Sequence, residues 1–233
     1  MDVLVIDIGG TRVKMRTSTS EETRRFKSGP HLEPAEFVHK VQRTVAEWTY
    51  DVIAIGYPGT VDRNAPAAEP GNLADGWVGF DFEQALGRPV RVVNDAVMQA
   101  LGGYQSGRML FLGLGTGVGS ALVTEHVVVP LELGSLSYGN GCTIADRLGR
   151  AALARDGKDA WQQAVEDITP VLRHALLADY VLLGGGNAKA VDRLPPHTRR
   201  GHNDDAFLGG FRLWEEPIEP HDRRPAPVWR VVR

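Results

Sequence analysis

Two stretches of this chain share one layout, and that repetition limits the folds open to it more than any other feature. VLVIDIGGTRVKMRT, residues 3–17, is an apolar run, a Gly-Gly-Thr turn and a second run; MLFLGLGTGVGSALVT, residues 109–124, repeats the arrangement with few identities. In the first copy Val3, Leu4, Val5, Ile6 and Ile8 form a run rich in β-branched residues, which suits a strand buried on both faces. Thr11 to Thr17 then alternates, with Val13 and Met15 against Arg12, Lys14 and Arg16, as a half-exposed strand would. The glycines between the runs predict a hairpin turn. A supersecondary unit used twice predicts a duplicated α/β fold, two similar lobes that each present one glycine hairpin.

The remaining pattern fits alternating strands and helices. Phe37, Val41, Val45 and Trp48 predict a helix over 34–49, with Pro34 near its start. A third strand is expected in DVIAIGYPG, residues 51–59, and a Pro/Gly/Asn/Asp-rich loop over 62–76. RPVRVVND, residues 88–95, reads as a short strand leading into a helix from Ala96. Beyond the second hairpin, 159–178 is helical with a kink near Pro170, 178–194 reads as strand, glycine turn and helix, and 203–213 as a last short helix. The expected organisation is an N-terminal lobe over 1–100, joined by a C-terminal helix near 203–214, a second lobe over 101–202, and a tail over 215–233 that is unstructured or an arm.

Composition narrows the function. With 42% hydrophobic and 24% charged residues and a net charge of −3, the chain lacks the basic excess of a general nucleic-acid binder. One cysteine, Cys142, excludes internal disulfides and a multi-cysteine zinc site, and the seven histidines show no metal-ligand spacing. No apolar run is long enough to span a membrane. Asp2 and Asp7 interrupt the stretch where a signal peptide would need an uncharged core, so a cytoplasmic protein is expected.

A turn without side chains lets backbone N–H groups approach anionic oxygens, and threonine adds a hydroxyl donor. Gly9, Gly10 and Thr11 can do this in the first lobe, and Gly115, Thr116 and Gly117 in the second; facing each other, the two turns would clasp a polyphosphate. Asp7 is placed to hold a magnesium ion that offsets the charge of a transferring phosphoryl group. The bland alternative is a pair of tight hairpins. GTGVGS lacks the third glycine and the following helix of a dinucleotide site, and no GxxxxGK[ST] motif occurs. Transfer to a hydroxyl also needs a base. Asn94-Asp95 stands where a strand gives way to a helix, which suits a ligand-facing carboxylate equally with a helix N-cap.

With these residues in hand, the chain resembles the ROK family of sugar kinases, and within it the polyphosphate/ATP glucokinase branch. The resemblance runs from about residue 3 to 213. It takes in DIGGT at 7–11 with Lys14 after it, GYPGTVD at 56–62, GNLADGWVG around Asn72, and LGRPVRVVNDA with Asp95. It continues through LGTGVGSAL, LELG with Glu132, LGGGNA from Leu183 and NDDAFLGG. It implies an actin-like (ribonuclease H-like) fold of two lobes around a sugar-binding cleft, a homodimer, magnesium, and ATP or inorganic polyphosphate as phosphoryl donor. It also implies Asp95 as the general base acting on a hexose hydroxyl, the 6-hydroxyl in a glucokinase. Gly59, Asn72, Asn94, Asp95 and Glu132 would contact the sugar. Gly184, Gly185, Gly186 and Asn187 would lie against the adenosine of ATP, at what reads as a glycine-rich helix start; a plain strand-to-helix turn is the other reading.

Two features depart from the family. Its usual histidine and cysteine zinc cluster is reduced to Cys142, which agrees with a zinc-free branch. Where that branch reads ELGHLE this chain reads ELGSLS, so Ser135 and Ser137 replace two sugar contacts. A sugar-binding sensor on the same fold is therefore a second reading, and a kinase of pantothenate or acetate type a third. Repressors of the family carry an N-terminal DNA-binding helix-turn-helix; here the first strand starts at Val3, so no nucleic-acid partner is expected.

Overall fold

Strand β1 (Val3–Ile8) has all six residues buried and forms the centre of the first sheet. The computed structural model describes residues 1–125, 127–202, 204–215 and 230–232. It divides into two compact units, one comprising Met1–Gly102 with the segment from Ala206, the other Gly103–Asp205 with the strand at 230–231. In the first unit β2 (Arg12–Thr17) returns antiparallel to β1, and β3 (Arg24–Lys27) returns antiparallel to β2. Helix α1 (Pro34–Thr44) starts with its proline in the first turn and buries Phe37 and Val41, one helical turn apart. It ends four residues short of Trp48, whose ring lies beneath the Arg24 guanidinium at 4.5 Å.

Strand β4 (Val52–Tyr57) runs parallel to β1, and its register carries Val3 against Val52 through Asp7 against Gly56. The stretch expected to be a plain loop contains a tight hairpin, β5 (Val61–Asp62) and β6 (Ala65–Pro66). Arg63 and Asn64 both adopt positive φ between them, the geometry of a two-residue turn matching strand twist. Short helix α2 (Phe82–Leu86) leads to β7 (Val90–Asn94), parallel to β4, and then to α3 (Asp95–Gly103). The sheet order is β3-β2-β1-β4-β7.

One face of this sheet is a closed apolar core. Ile6, Ile8, Val13, Met15, Ile53, Ile55 and Tyr57 meet Phe37, Val41 and Val45 of α1 and its flank. Trp77 sits fully buried among Phe37, Tyr57, Phe80 and Phe82, with ring centroids 5.5–6.2 Å away.

The second unit repeats the plan. Strands β8 (Met109–Leu114) and β9 (Val118–Thr124) form the second glycine hairpin, and β10 (Val127–Leu131) returns beside β9. Two short helices, α4 (Ile144–Leu148) and α5 (Arg150–Asp156), precede α6 (Lys158–Ala175), which contains Pro170 as one continuous element. Strand β11 (Tyr180–Gly184) lies parallel to β8, and β12 (Thr198–Arg200) parallel to β11. The order β12-β11-β8-β9-β10 matches β7-β4-β1-β2-β3 strand for strand, in sense as well as sequence of pairing. This is the duplicated α/β fold that the repeated hairpins predict. An extra strand, β13 (Arg230–Val231), adds parallel to β10. Most of the predicted tail, 216–229 and 233, lies outside the described residues, as does Asn203.

The helix expected after the third glycine turn of 178–194 is only a three-residue 3-10 turn, Ala188–Ala190. Gln162 of α6 accepts from the Asp192 N–H and donates to the Arg193 carbonyl, which claims the backbone that would continue the helix. Helix α7 (Asp205–Arg212) packs within the first unit. Arg212 donates to the carbonyls of Leu101 and Gly102 at the end of α3, and Trp214 Nε1 donates to Ile53 O at 3.0 Å. No helix among the described residues is long and apolar enough to cross a membrane.

Because Trp77 fills the centre of an aromatic cluster, Trp77→Ala should cost about 3–5 kcal/mol. A guanidinium or urea unfolding curve reads this as a lowered midpoint at nearly unchanged slope.

Candidate active site

Strands β1, β4 and β7 run parallel, so their C-terminal ends lie along one edge of the sheet. Each is followed by residues singled out from the sequence: Gly9 to Thr11 after β1, Gly59 after β4, Asp95 after β7. Such edges collect ligands in open α/β sheets because the turns there need not pack against the next element. In the first turn Gly9 N–H closes the hairpin on Arg12 O at 3.1 Å, while Gly10 and Thr11 offer N–H groups with no internal partner among the described residues. Ser28, a residue the sequence did not single out, fastens the turn from below. Its N–H donates to Thr11 O at 3.1 Å and its hydroxyl to Gly9 O at 2.5 Å.

Asp7 is 7% exposed, and Lys14, directly opposite on β2, approaches its carboxylate at 3.3 Å. Burial raises the Asp7 carboxyl above its ordinary range, and Lys14 opposes that effect by charge and by hydrogen bonding. At Asn94-Asp95 the helix cap is formed by Asn94. Asn94 Oδ1 caps α3, accepting from Ala96 N–H at 2.9 Å and Val97 N–H at 3.4 Å, and its Nδ2 donates to Gly59 O at 3.0 Å. Asp95 is half-buried, and its Oδ1 accepts from Ala96 N–H at 2.8 Å.

Asn72 reaches the first turn from a distant loop. A Cβ on Gly10 would fall on Asn72 Nδ2, so only glycine allows this approach. Asn72 Oδ1 is buried with no partner among the described residues. Its loop is held by Glu69, whose carboxylate gathers three consecutive N–H groups, Gly76 at 3.1 Å, Trp77 at 3.0 Å and Val78 at 3.4 Å. Those bonds lower the Glu69 pKa. Nothing in the local sequence pattern marks Glu69, because the positions it ties together lie seven to nine residues away.

In the second unit the structure brings the second and third glycine turns together. Gly115 N–H bonds to Gly117 O at 3.1 Å, leaving Thr116 and Gly117 exposed. Asn187 donates its N–H to Leu114 O at 2.9 Å and its Nδ2 to Gly115 O at 3.4 Å. Gly185 sits at φ +78° with Leu114 backbone where a Cβ would be, so this crossing also requires glycine. Gly184 ends β11, and Gly186 is exposed beside Asn187. Glu132 is exposed and precedes the 3-10 turn Leu133–Ser135; Gly134 of that turn lies against Val118 at the start of β9. Ser135 donates its hydroxyl to Glu132 O at 2.7 Å, and Ser137 pairs by backbone with Thr143.

Two outcomes are expected from this geometry. Gly10→Ala must displace Asn72 and should destabilise the first unit by about 1–3 kcal/mol in chemical unfolding. Glu69 has its folded pKa depressed, so its contribution is present above the ordinary carboxylate value of about 4.3 and is lost as pH falls through the folded value. The stability difference between wild type and Glu69→Gln should therefore shrink between about pH 6 and pH 3, measured by unfolding midpoints at each pH.

No family model matches the chain. It is 25% identical to the polyphosphate glucokinase of Mycobacterium leprae, over 67% of this chain and 54% of that one, so it spans about half the length of that relative. It is also 25% identical to the kanosamine kinase of Amycolatopsis mediterranei, across 93% of this chain and 90% of the relative. The crystal structure of the inorganic polyphosphate/ATP-glucomannokinase from Arthrobacter sp. superposes with a TM-score of 0.78 at 24% identity, covering 90% of this chain and 96% of that one. The chain thus has the actin-like fold of the ROK sugar kinases, and these two curated relatives are sugar kinases by name.

Proposed function

We propose that this protein is a sugar kinase that transfers a phosphoryl group from ATP or inorganic polyphosphate to a hexose hydroxyl, the 6-hydroxyl, with Asp95 as general base. The observation that carries the reading is the shared edge of β1, β4 and β7, where a phosphate-type turn, a buried carboxylate, a sugar-type asparagine and a half-buried aspartate all emerge. The names of the relatives, glucokinase, glucomannokinase and kanosamine kinase, support a hexose acceptor.

In this reading Asp95 accepts the hydroxyl proton as the sugar oxygen attacks the terminal phosphorus. The bond from that phosphorus to its bridging oxygen breaks, releasing ADP or a polyphosphate one unit shorter. The N–H groups of Gly10 and Thr11, the Thr11 hydroxyl and the Lys14 ammonium stabilise the phosphoryl oxygens; in the second unit the exposed Thr116–Gly117 turn is the phosphate-binding candidate. Asn94 positions the Gly59 turn and the base. The unpartnered Asn72 oxygen is the acceptor a sugar hydroxyl would satisfy, since an orphaned buried carbonyl costs about 1–3 kcal/mol. Glu132 contributes a further acceptor.

Magnesium fits the donor set. It needs only one or two carboxylates and keeps water for its other ligands, and Asp7 supplies one buried carboxylate beside the turn. When bound, the ion would neutralise charge on the donor's phosphate oxygens. Gly184 to Gly186 and Asn187 are assigned to the adenosine of ATP through the crossing of two glycine turns, without a helix N-terminus. An ATP-consuming sugar kinase belongs in the cytoplasm, and the homodimer remains part of the proposal.

A sugar sensor on the same fold is the second reading. It is favoured by Ser135, whose hydroxyl is turned onto its own backbone where the family presents a sugar contact. A panel of aldoses and amino sugars with ATP and with polyphosphate separates the two, because turnover with any pair excludes the sensor. With the best sugar, Asp95→Asn should lower kcat at least about 10²-fold while the unfolding midpoint stays put. Turnover near wild type in that variant would remove Asp95 as the base.

A further inference from the structure

The register of β2 with β3 places like charges directly opposite one another on an exposed surface. Arg12 faces Lys27 and Lys14 faces Arg25, so four cations share one face of the ribbon in two successive rungs. The opposite face of the same ribbon sets Val13 against Phe26 and Met15 against Arg24, whose guanidinium stacks on Trp48. Arg12, Arg25 and Lys27 are exposed, and among the described residues none of the three has an ion-pair partner; Lys14 alone has one, Asp7. Directly opposed side chains stand about 5 Å apart at Cβ, and the two rungs are roughly 7 Å apart along the strands. Both spacings fall inside the screening length of about 8 Å at physiological salt, so the four charges repel. Opposed like charges weaken a hairpin, and here they stand on β3, the edge strand of the sheet. Carboxylates do line the neighbouring segment, but Glu21 and Glu22 turn to Arg16 and Arg24 instead.

The ladder is continuous with the first glycine turn. Arg12 closes that turn through its carbonyl, and Ser28, one residue past Lys27, clamps it from the other strand. An anion seated on the Gly10 and Thr11 N–H groups therefore has its next neighbours held at a set distance by the sheet. A nucleoside triphosphate ends in a nucleoside and has no further phosphates to lay on two rungs of cations. A linear inorganic polyphosphate has one negative charge per unit and does.

The geometry points to the Arg12–Lys27 and Lys14–Arg25 ladder as a binding track for the distal phosphates of an inorganic polyphosphate chain whose terminal unit occupies the glycine turn. The proposal rests on the kinase reading for the role of that turn, and it assigns Arg25 and Lys27, which take no part in the chemistry, to holding a long donor. The net charge of −3 favours this occupant over a nucleic acid.

The test is equilibrium binding by the full chain of long-chain polyphosphate and of tripolyphosphate, for wild type, Arg25→Gln/Lys27→Gln and the charge-keeping swap Arg25→Lys/Lys27→Arg. The glutamine variant should bind the long chain about tenfold more weakly and shift tripolyphosphate by less than about twofold, with the swap restoring wild-type binding. The slope of log affinity against log salt should fall by roughly 1 to 2 in the glutamine variant. Circular dichroism should show its fold intact, and removal of the repulsion should leave its melting temperature equal or higher. Unchanged long-chain binding, or an equal loss for tripolyphosphate, overturns the track. A single-stranded oligonucleotide that binds more tightly than polyphosphate and is lost in the same variant overturns polyphosphate as the occupant. The assay needs neither sugar nor turnover, so a wild type that binds the chain but phosphorylates no sugar counts against the kinase reading and in favour of the track.

Discussion

The parallel register of β1 against β4 is the constraint on which the first unit depends. Asp7 lies opposite Gly56, and from that pairing Asp7 and Val5 face one side of the sheet while Ile6 and Ile8 face the other. A slip of one residue would exchange those faces. It would drive the Asp7 carboxylate into the cluster around Phe37, Trp77 and Phe82, where no cation is available, and turn Ile6 and Ile8 away from it. The cost of an unpaired buried carboxylate is several kcal/mol, so the register is strongly specified. The same pairing sets the three strand ends level, which is why the turn after β1, Gly59 and Asp95 come to one edge.

The two faces of this sheet divide the work. On the α1 side, aromatic and branched side chains close a dry core, and Trp77 links it to the loop that bears Asn72. On the other side Val5 and Gly56 lie against Gly210 of α7 and Met98 of α3, and towards the β2–β3 edge the residues become Asp7, Lys14, Arg12 and the β3 cations, backed by the apolar face behind them. Glu69 connects the two, since it ties down the backbone of Trp77 while steadying the segment that reaches Gly10. The second unit uses the same strand order and crosses two glycine turns at Leu114 and Gly115, but presents no matching ladder: β9 reads VGSALVT where β2 reads RVKMRT.

Much of this was legible in the chain because it is local. Continuous apolar runs mark β1, β4, β8 and β11, alternation marks β2, and Gly-Gly-Thr and Gly-Thr-Gly mark the hairpins between them. Asn94-Asp95 is recognisable as a strand-to-helix junction, and its predicted cap has a counterpart in the hydrogen bonds that Asn94 accepts from Ala96 and Val97. Other features depend on residues far apart in the chain. The helix expected after Asn187 is cut to a single turn by Gln162, about one turn into a different helix. Glu69 acts on amides beyond the reach of any periodicity. The clamp by Ser28 on Gly9 spans nineteen residues.

The amino-acid order by itself determined the strand and turn inventory and the candidate phosphate and acid residues, because each of these is written in spacings of two to four residues, and it determined the duplication because the same local pattern recurs at 3–17 and 109–124. Only the tertiary structure decided which side chains stand opposite each other. Cross-strand register pairs Lys14 with Asp7 on one side and with Arg25 on the other, and brings Asn72 onto Gly10, because those contacts follow from how strands align and loops fold back, a choice made by burying one face of the sheet and not by any local preference.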